Sequence, residues 1–585
     1  MKYMKTISCI VCGVLTLLSA CDGHTHNYSQ EICKDDFLKT QATCTTSAEY
    51  YKSCSCGAKG EETFFAGNVI AHQYGEIVSD EYLCTPSNCR YSAVYYKSCV
   101  ICGKKNDINT FTYGSAGDCA YTQKIVDDMF LKEEATPESP AEYYKSCICG
   151  NIGEETFFYG NPLGTLTDNE KLAYKPMSLT VTLYDAVNSV YGFTCNTESE
   201  PLHSVLQIQE GNELTESLSE YSVSVTREIT NAGSAYYYIS KVNVQLKANT
   251  TYTYRIYDKY ADIGTETATL QTKDTKSTSF KFAHVSDSQT YGKDNAEYAY
   301  EGTGEHFAKT LSKIVGNNDF IVHSGDIVER SSHEFFWTEM IDKNHMYWSK
   351  IPVMAVSGNH DTTYKAGSNE LFKHFHYKIP EQGSTVNGYY YSYVYGNAKF
   401  IMLNTNNIVS GQGLETEQYN WLVKELQENE CTWTIVTMHN PMYSAGVYGS
   451  DSNRNAVAIL LQNQLKELFA EYGVDLVLQG HDHLISRTYP INQNGTQSEN
   501  FEEINGINYS INPNGVIYVM NGASGNQSRT LYSGMNKTLY AYAQNSNACS
   551  WAEFEIEGNK MTITVKYTDG TNTNVYQQWG IKKTK

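Results

Sequence analysis

At 585 residues the chain is too long for one ordinary domain and points to two to four. Its formal net charge of −21 argues against nucleic-acid binding, because a phosphate backbone calls for a face rich in Lys and Arg. The 48 tyrosines against 20 phenylalanines favour β-structure in which rings are covered while hydroxyls stay wet.

Residues 1–20 read as an export signal. Lys2 and Lys5 precede an apolar run from Ile7 to Leu18, too short to span a bilayer, that ends in Leu18-Ser19-Ala20-Cys21. A small pair before a cysteine resembles the bacterial lipobox, which implies lipidation of Cys21 and a cell-surface lipoprotein. Ordinary cleavage after Ala20, giving a secreted protein, is the alternative. No other apolar run is long enough to cross a membrane, so the membrane is expected to be met only through that lipid.

Residues 21–164 hold three cysteine-rich repeats. "AEYYKSCSCG" at Ala48 recurs as "AVYYKSCVICG" at Ala93 and "AEYYKSCICG" at Ala141. In an exported protein the default for such cysteines is disulfide bonding. One substitution opens a second reading: His26 and His72 stand where the third repeat has Cys119. Histidine and cysteine replace each other as zinc ligands, whereas a histidine cannot form half of a disulfide. Structural zinc would then use His26, Cys44, Cys54 and Cys56 in the first repeat, and His72, Cys89, Cys99 and Cys102 in the second. The third repeat has Pro137 where Cys44 and Cys89 stand. Neither reading implies catalysis, and neither names a partner for the repeats.

From about residue 170 to 275 the sequence changes to short alternating runs such as "SLTVTLY" and "TTYTYRIYD", which predict an all-β sandwich. Residues 279–585 alternate buried strands with amphipathic helices, an α/β organisation, and close on a β-rich tail. Gly396-Asn397 and Gly558-Asn559 are two-residue hairpin turns between alternating strands.

Five apolar runs in this last region end in residues that bind metals: Asp287, Asp326, Asn359 with His360, His439, and His481 with His483. Ligands of open α/β sheets collect at the carboxyl ends of strands. One such aspartate is usually a turn or a helix cap, and His439 alone could be a satisfied buried histidine. Five in order, each after its own buried strand, are not expected of unrelated turns.

The series Asp287, Gly325-Asp326, Gly358-Asn359-His360-Asp361, His439 and Gly480-His481-Asp482-His483 resembles the calcineurin-like metallophosphoesterases. The flanks "HNPMYS" and "GVDLVLQGHDHLISRTYP" resemble the purple acid phosphatase branch, and the sandwich is similar to its fibronectin-III-like domain. The resemblance implies a four-layer αββα catalytic fold and a dinuclear centre of divalent or trivalent iron, zinc or manganese. It implies Asp326 as the bridge, Asp287 and His483 on one ion, Asn359, His439 and His481 on the other, and His360 at the phosphate or its leaving oxygen. The implied reaction is hydrolysis of a small phosphate monoester by direct attack of a metal-bound hydroxide. Two positions depart from the pattern. Gln289 stands where many relatives place a histidine, and its amide oxygen could ligate as a harder, weaker donor. Glu329 stands where purple acid phosphatases place an iron-binding tyrosine.

Two divalent ions offset by Asp287, Asp326 and a hydroxide would leave a centre of about one positive charge, which favours a phosphoester anion despite the acidic chain. A phosphodiesterase or nucleotide hydrolase of the same fold is the runner-up, with Arg454 either binding a second phosphate or facing solvent. A surface adhesion protein with a vestigial enzyme domain is the alternative from another class.

Overall fold

The computed structural model describes residues 25–584 apart from 137, 163, 230–235, 291–302, 363–369, 382–383, 386–387, 407–412, 451–453 and 548. The export signal and Cys21 lie outside the described residues. The chain divides into two compact units, Met1–Gly164 and Thr165–Lys585.

In the first unit each repeat folds as a small antiparallel sheet around one hairpin. The hairpins are Ala48–Ser53 with Lys59–Ala66, Ala93–Cys99 with Lys105–Tyr113, and Ala141–Ser146 with Ile152–Tyr159. The tyrosine pair of each "YYKSC" strand explains part of the tyrosine excess. Tyr50 stacks on Phe64, Tyr95 on Phe111 and Tyr143 on Phe157, at 5.7–5.8 Å in every repeat, as directly opposed cross-strand pairs. Few other side chains are covered: Cys54, Cys99 and Cys147, all ligand-type residues, are buried beside Ser53, Ser98 and Ser146, with Tyr82, Phe130 and Phe157 as the buried rings.

The predicted within-repeat ligand sets are corrected here. Cys44 lies with His72, Cys99 and Cys102, and Cys89 lies with Cys119, Cys147 and Cys149. His26, Cys54 and Cys56 form a separate group of three. Sequence spacing captured the contacts inside a repeat but not the packing of one repeat's turn against the next repeat's hairpin.

The second unit begins with a β-sandwich. One sheet runs Met177–Asp185, Val190–Thr197, Tyr236–Gln245, Ser224–Ile229, all antiparallel. The facing sheet is built on Ser204–Glu210 and Thr251–Asp258. Alternating residues point inward, and Phe193 meets Tyr254 edge-on at 4.9 Å in the core between them. This all-β region fits a fibronectin-III-like domain.

The remainder is a four-layer αββα sandwich. One sheet has the order Val353–Ala355, Phe320–His323, Ser279–Val285, Ser550–Glu557, Lys560–Thr568, Thr573–Lys582, Ile507–Ile511, Phe501–Ile504. The other runs Tyr391–Tyr395, Ala398–Met402, Trp433–Thr437, Leu476–Gln479, Ile517–Asn521, Ile485–Thr488, Tyr540–Gln544. The two pack face to face through aromatic rings: Phe282 stacks on Phe554 of its own sheet and meets Phe400 of the other edge-on at 5.2 Å. Strand Ala398–Met402 shows why its residues are apolar throughout. Phe400 and Met402 enter the inter-sheet core, while Ile401 enters a second core under helices Thr416–Gln427 and Ala456–Glu471. The helices bury one stripe each, Trp421, Leu422 and Leu426 in the first, and Leu461, Leu465 and Phe469 in the second. Both predicted hairpins form, with Gly396 at φ 57° and Gly558 at φ 59° in their turns.

Each sheet contains a parallel run, 279–285 with 320–323 and 353–355 in one, and 398–402 through 433–437 and 476–479 to 517–521 in the other. The candidate ligands all follow the carboxyl ends of these runs.

Candidate metal centre

Asp287 follows strand Ser279–Val285, Asp326 follows Phe320–His323, and Asn359 and His360 open a short helix after Val353–Ala355. From the other sheet, His439 follows Trp433–Thr437, while His481 and His483 follow Leu476–Gln479. The chain must turn sharply at these points. Asp287, Asp326, His481 and His483 all have left-handed backbones, with φ between 48° and 74°. This conformation costs a non-glycine residue about 1–2 kcal/mol, so the packed sheets on either side must hold it. The turns also approach each other too closely for side chains. A Cβ on Gly358 would stand 2.0 Å from the Asp326 carboxylate, so only glycine fits.

The side chains converge. His439 Nε2 lies 3.0 Å from Asn359 Oδ1, 3.2 Å from Asp326 Oδ2 and 3.2 Å from His481 Nδ1, and His481 Nδ1 is 2.8 Å from Asn359 Oδ1. Beside them, His483 Nε2 is 3.1 Å from Asp287 Oδ1. Gln289 Nε2 donates to Asp326 Oδ2 at 3.3 Å.

Hydrogen bonding around the cluster fixes which atoms face inward. His439 Nδ1 donates to the Ser324 carbonyl at 2.8 Å, which leaves Nε2 as the atom aimed at the carboxylate, the amide and the second imidazole. A single proton there can face only one of three acceptors; a cation satisfies all of them. Burial works against charging His439, but the Asp326 carboxylate prevails and lifts it to about 9. His481 goes the other way: burial, reinforced by the charge of His439, pushes it down to about 3. Two buried atoms, His483 Nδ1 and Gln289 Oε1, have no hydrogen-bond partner among the described residues. Orphaned polar atoms beside a ring of acceptors fit a metal site.

Several supporting residues carry no signal of their own in the sequence. Asp361 is fully buried and accepts from the backbone N–H groups of Asp326, Ile327 and Gly358 at 2.7–2.8 Å, tying two ligand loops together. Its one visible trace is its place in Gly-Asn-His-Asp. Asp482 performs a similar service for the His481–His483 turn, accepting from Ser444 and pairing with Arg529 at 3.5 Å. Arg529 also donates to the His481 carbonyl at 3.2 Å. Tyr448 stands edge-on to His481 at 4.2 Å, with the Arg529 guanidinium 5.3 Å and the exposed Arg454 guanidinium 6.0 Å from its ring centre.

His360 lies at the rim. Its backbone N–H donates to Asp326 Oδ1 at 2.8 Å, and its Nδ1 donates to the Glu329 carbonyl at 2.8 Å. Nε2 is thereby the free end of the ring, 4.0 Å from Asp326 Oδ2. Burial opposes charge on His360, but Asp326 and Glu329 outweigh it and hold its pKa above the usual histidine range. Glu329 is itself buried, which pushes its carboxyl up to about 7 against the pull of His360.

Residues 280–484 match the calcineurin-like phosphoesterase family. Purple acid phosphatase 23 of Arabidopsis thaliana is 31% identical over 186 residues, 30% of this chain and 35% of that protein. Acid phosphatase type 7 of Danio rerio is 26% identical over 252 residues, 38% of this chain and 53% of that protein. Fe(3+)-Zn(2+) purple acid phosphatase 12 of Arabidopsis thaliana is 28% identical over 199 residues, 32% and 39% of the two chains. The chain thus spans about a third to a half of the length of these curated relatives. A purple acid phosphatase from yellow lupin (Lupinus luteus) seeds shares the fold with a TM-score of 0.55 at 16% identity, over 76% of this chain and 80% of that one. Residues 280–484 are therefore a calcineurin-like phosphoesterase domain, in a chain with purple acid phosphatases among its homologues.

Proposed function

We propose that the chain is a dinuclear-metal phosphoesterase acting on small phosphate monoesters. The observation that carries this reading is the convergence of Asp326, Asn359, His439 and His481 atoms at 2.8–3.2 Å, with Asp287 and His483 paired beside them. Asp326 would bridge, with Asp287 and His483 on one ion and Asn359, His439 and His481 on the other. Bound there, two cations supply Lewis-acid stabilisation of phosphoryl oxygens and lower the pKa of water.

The chain's own residues then position and protonate. Asp361 and Asp482 hold the ligand loops, so the donor atoms need not reorganise when substrate arrives. His360 Nε2 is placed to give a proton to the departing oxygen, while Nδ1–H is anchored on the Glu329 carbonyl and Asp326 favours the charged ring. No covalent nucleophile is required of the protein. Iron, zinc or manganese suits a set of carboxylate, amide and imidazole donors. Glu329 faces His360 in place of a metal-binding tyrosine, and Gln289 contacts the bridging carboxylate in place of a histidine.

Arg454 favours one second reading, a substrate with a further phosphate, because it places a cation over Tyr448 at the rim. The deciding experiment assays the purified chain on a panel of phosphomonoesters, phosphodiesters and nucleotides, with elemental analysis of the same sample. Monoester turnover with about two metal ions in the phosphoesterase domain is expected. Turnover of diesters or nucleotides alone would move the assignment to the second reading, and no turnover with metals bound would refute both.

The same reading includes export, from the signal in residues 1–20, and anchoring through a lipid on Cys21. Among the described residues no helix is long and apolar enough to cross a membrane. Mass spectrometry of the amino-terminal peptide from membrane fractions tests the anchor.

A further inference from the structure

None of the candidate ligands described above comes from the cysteine repeats, yet the repeats contain the two four-membered groups of mutually close ligand-type side chains found among the described residues. Their arrangement follows one rule. Within each repeat, two ligands 30 residues apart come together: His26 with Cys56 at 3.2 Å, His72 with Cys102 at 3.3 Å, and Cys119 with Cys149 at 3.6 Å. A third residue of the same hairpin, Cys54, Cys99 or Cys147, completes each trio. In the second and third repeats a fourth ligand arrives from the repeat before. Cys44 reaches Cys99 across 55 residues, at 3.6 Å, and Cys89 reaches Cys147 across 58 residues, at 3.1 Å.

We infer that Cys44, His72, Cys99 and Cys102 form one structural zinc site, that Cys89, Cys119, Cys147 and Cys149 form another, and that each ion staples a repeat to its predecessor.

Three observations support zinc over disulfides. All four ligand atoms of each group lie within 4.8 Å of one another, which is a four-cornered cage and not a pair. The closest sulfur–sulfur separations are 3.1–3.6 Å, whereas a disulfide needs about 2.05 Å and a tetrahedron with Zn–S bonds of about 2.3 Å has an edge of about 3.8 Å. The first site contains a histidine where the second has a cysteine. That exchange preserves a zinc ligand and would destroy a disulfide.

The inter-repeat rule also accounts for Pro137. In sequence it stands where Cys44 and Cys89 stand, and the third repeat is followed by no fourth cysteine repeat that could receive a ligand. The within-repeat grouping has no reason for that loss. Stapling answers a physical need as well. Among the described residues of the repeats, Ala48, Tyr82, Phe130 and Phe157 are the buried apolar side chains other than cysteine, little apolar surface for units of this size to hold together on.

The experiment uses the full chain and replaces its metals with Co2+. Thiolate ligands give intense charge-transfer bands, which the oxygen and nitrogen donors of the phosphoesterase centre do not. Cys44→Ala and His72→Ala should each remove one thiolate-bound ion, and the double variant should remove no more than either alone. Cys44→Ala with Cys89→Ala should remove two. Non-additive loss in Cys44→Ala with His26→Ala would overturn the inter-repeat assignment. Thiol alkylation of the unsubstituted chain provides a reading independent of how the variants fold. Cysteines that become reactive on chelation support zinc, and cysteines found oxidised in pairs would overturn it.

Discussion

The phosphoesterase domain and the cysteine repeats both gather metal-binding side chains, but the relation of site to core is inverted between them. In the domain, the candidate ligands cap strands that are buried on both faces, and rings such as Phe282, Phe400 and Phe554 build a core without any metal. Four of these candidates hold left-handed backbones, a cost that an independent core can sustain. In the repeats Cys54, Cys99 and Cys147 are buried while His26, Cys56 and Cys102 stay exposed, and the Tyr50–Phe64 and Tyr95–Phe111 stacks are half-covered. In the first case the core stands without the candidate site; in the second, the zinc ions proposed above would take the place of a core.

The largest expected effect separates chemistry from folding inside the domain. Asp326→Asn should abolish turnover and metal binding together, because a neutral bridge cannot hold two dications, while the fold persists. The loss should exceed the roughly 10–100-fold typical of removing a supporting residue. Elemental analysis with circular dichroism checks it, and retained metals with full activity would dismantle the site assignment. Chelation sharpens the same contrast across the molecule. A strong chelator should make the region before Gly164 susceptible to protease, since metal-dependent domains unfold when stripped. Residues 165–585 should stay resistant, because their core is apolar. Equal resistance of both regions would show that the repeats hold together without metal.

The contrast also explains how much of the molecule is legible in its sequence. The six candidate ligands stand out in the sequence because each is a polar residue ending an apolar strand, in an order that packing alone would not produce. Asp361 does not, because a carboxylate gathering backbone N–H groups from two loops looks in sequence like any aspartate in a turn. Tyr448, on the short helix Val447–Ser450, and Arg529 reach the site through tertiary packing, at separations no local pattern encodes. In the repeats the exchange of His26 and His72 for Cys119 is legible in the sequence, but the approach of Cys44 to Cys99 and of Cys89 to Cys147 is a tertiary fact that spacing within a repeat does not encode. The sandwich strands were legible from alternation, whereas their division between two sheets was not.

A smaller effect is expected at His360, whose role depends on the leaving group. Nitrophenolate departs readily as an anion, whereas an alkoxide needs a proton in the transition state. General acid catalysis is worth about 10²–10⁴-fold, so His360→Ala should slow alkyl phosphate hydrolysis by that order and nitrophenyl phosphate hydrolysis far less. Metal content should stay unchanged. Equal losses on both substrates would assign the ring to phosphoryl binding instead.

The smallest expected effect is on stability, at Glu329. This carboxyl is buried against the His360 ring, its Oε1 3.6 Å from Nδ1 and its Oε2 without a partner among the described residues. Burial raises it from the ordinary 4.5 to about 7, although His360 opposes the shift. A folded-state pKa above the unfolded value means that the native state binds the extra proton between those two pH values. The resulting stabilisation is complete below about pH 4.5 and is lost as pH rises through about 7. Glu329→Gln keeps the shape and removes the titration. In metal-free protein, the melting temperature of the wild-type domain should therefore fall relative to that of the variant as pH goes from 4.5 to 7. Each 1 kcal/mol of that relative change moves Tm by about 2–4 °C in a domain of this size, a shift calorimetry resolves. Parallel profiles would mean that Glu329 stays ionised in the fold and that His360 faces a full negative charge across this range. The leaving-group experiment would then have to be read with a more strongly held proton on the imidazole.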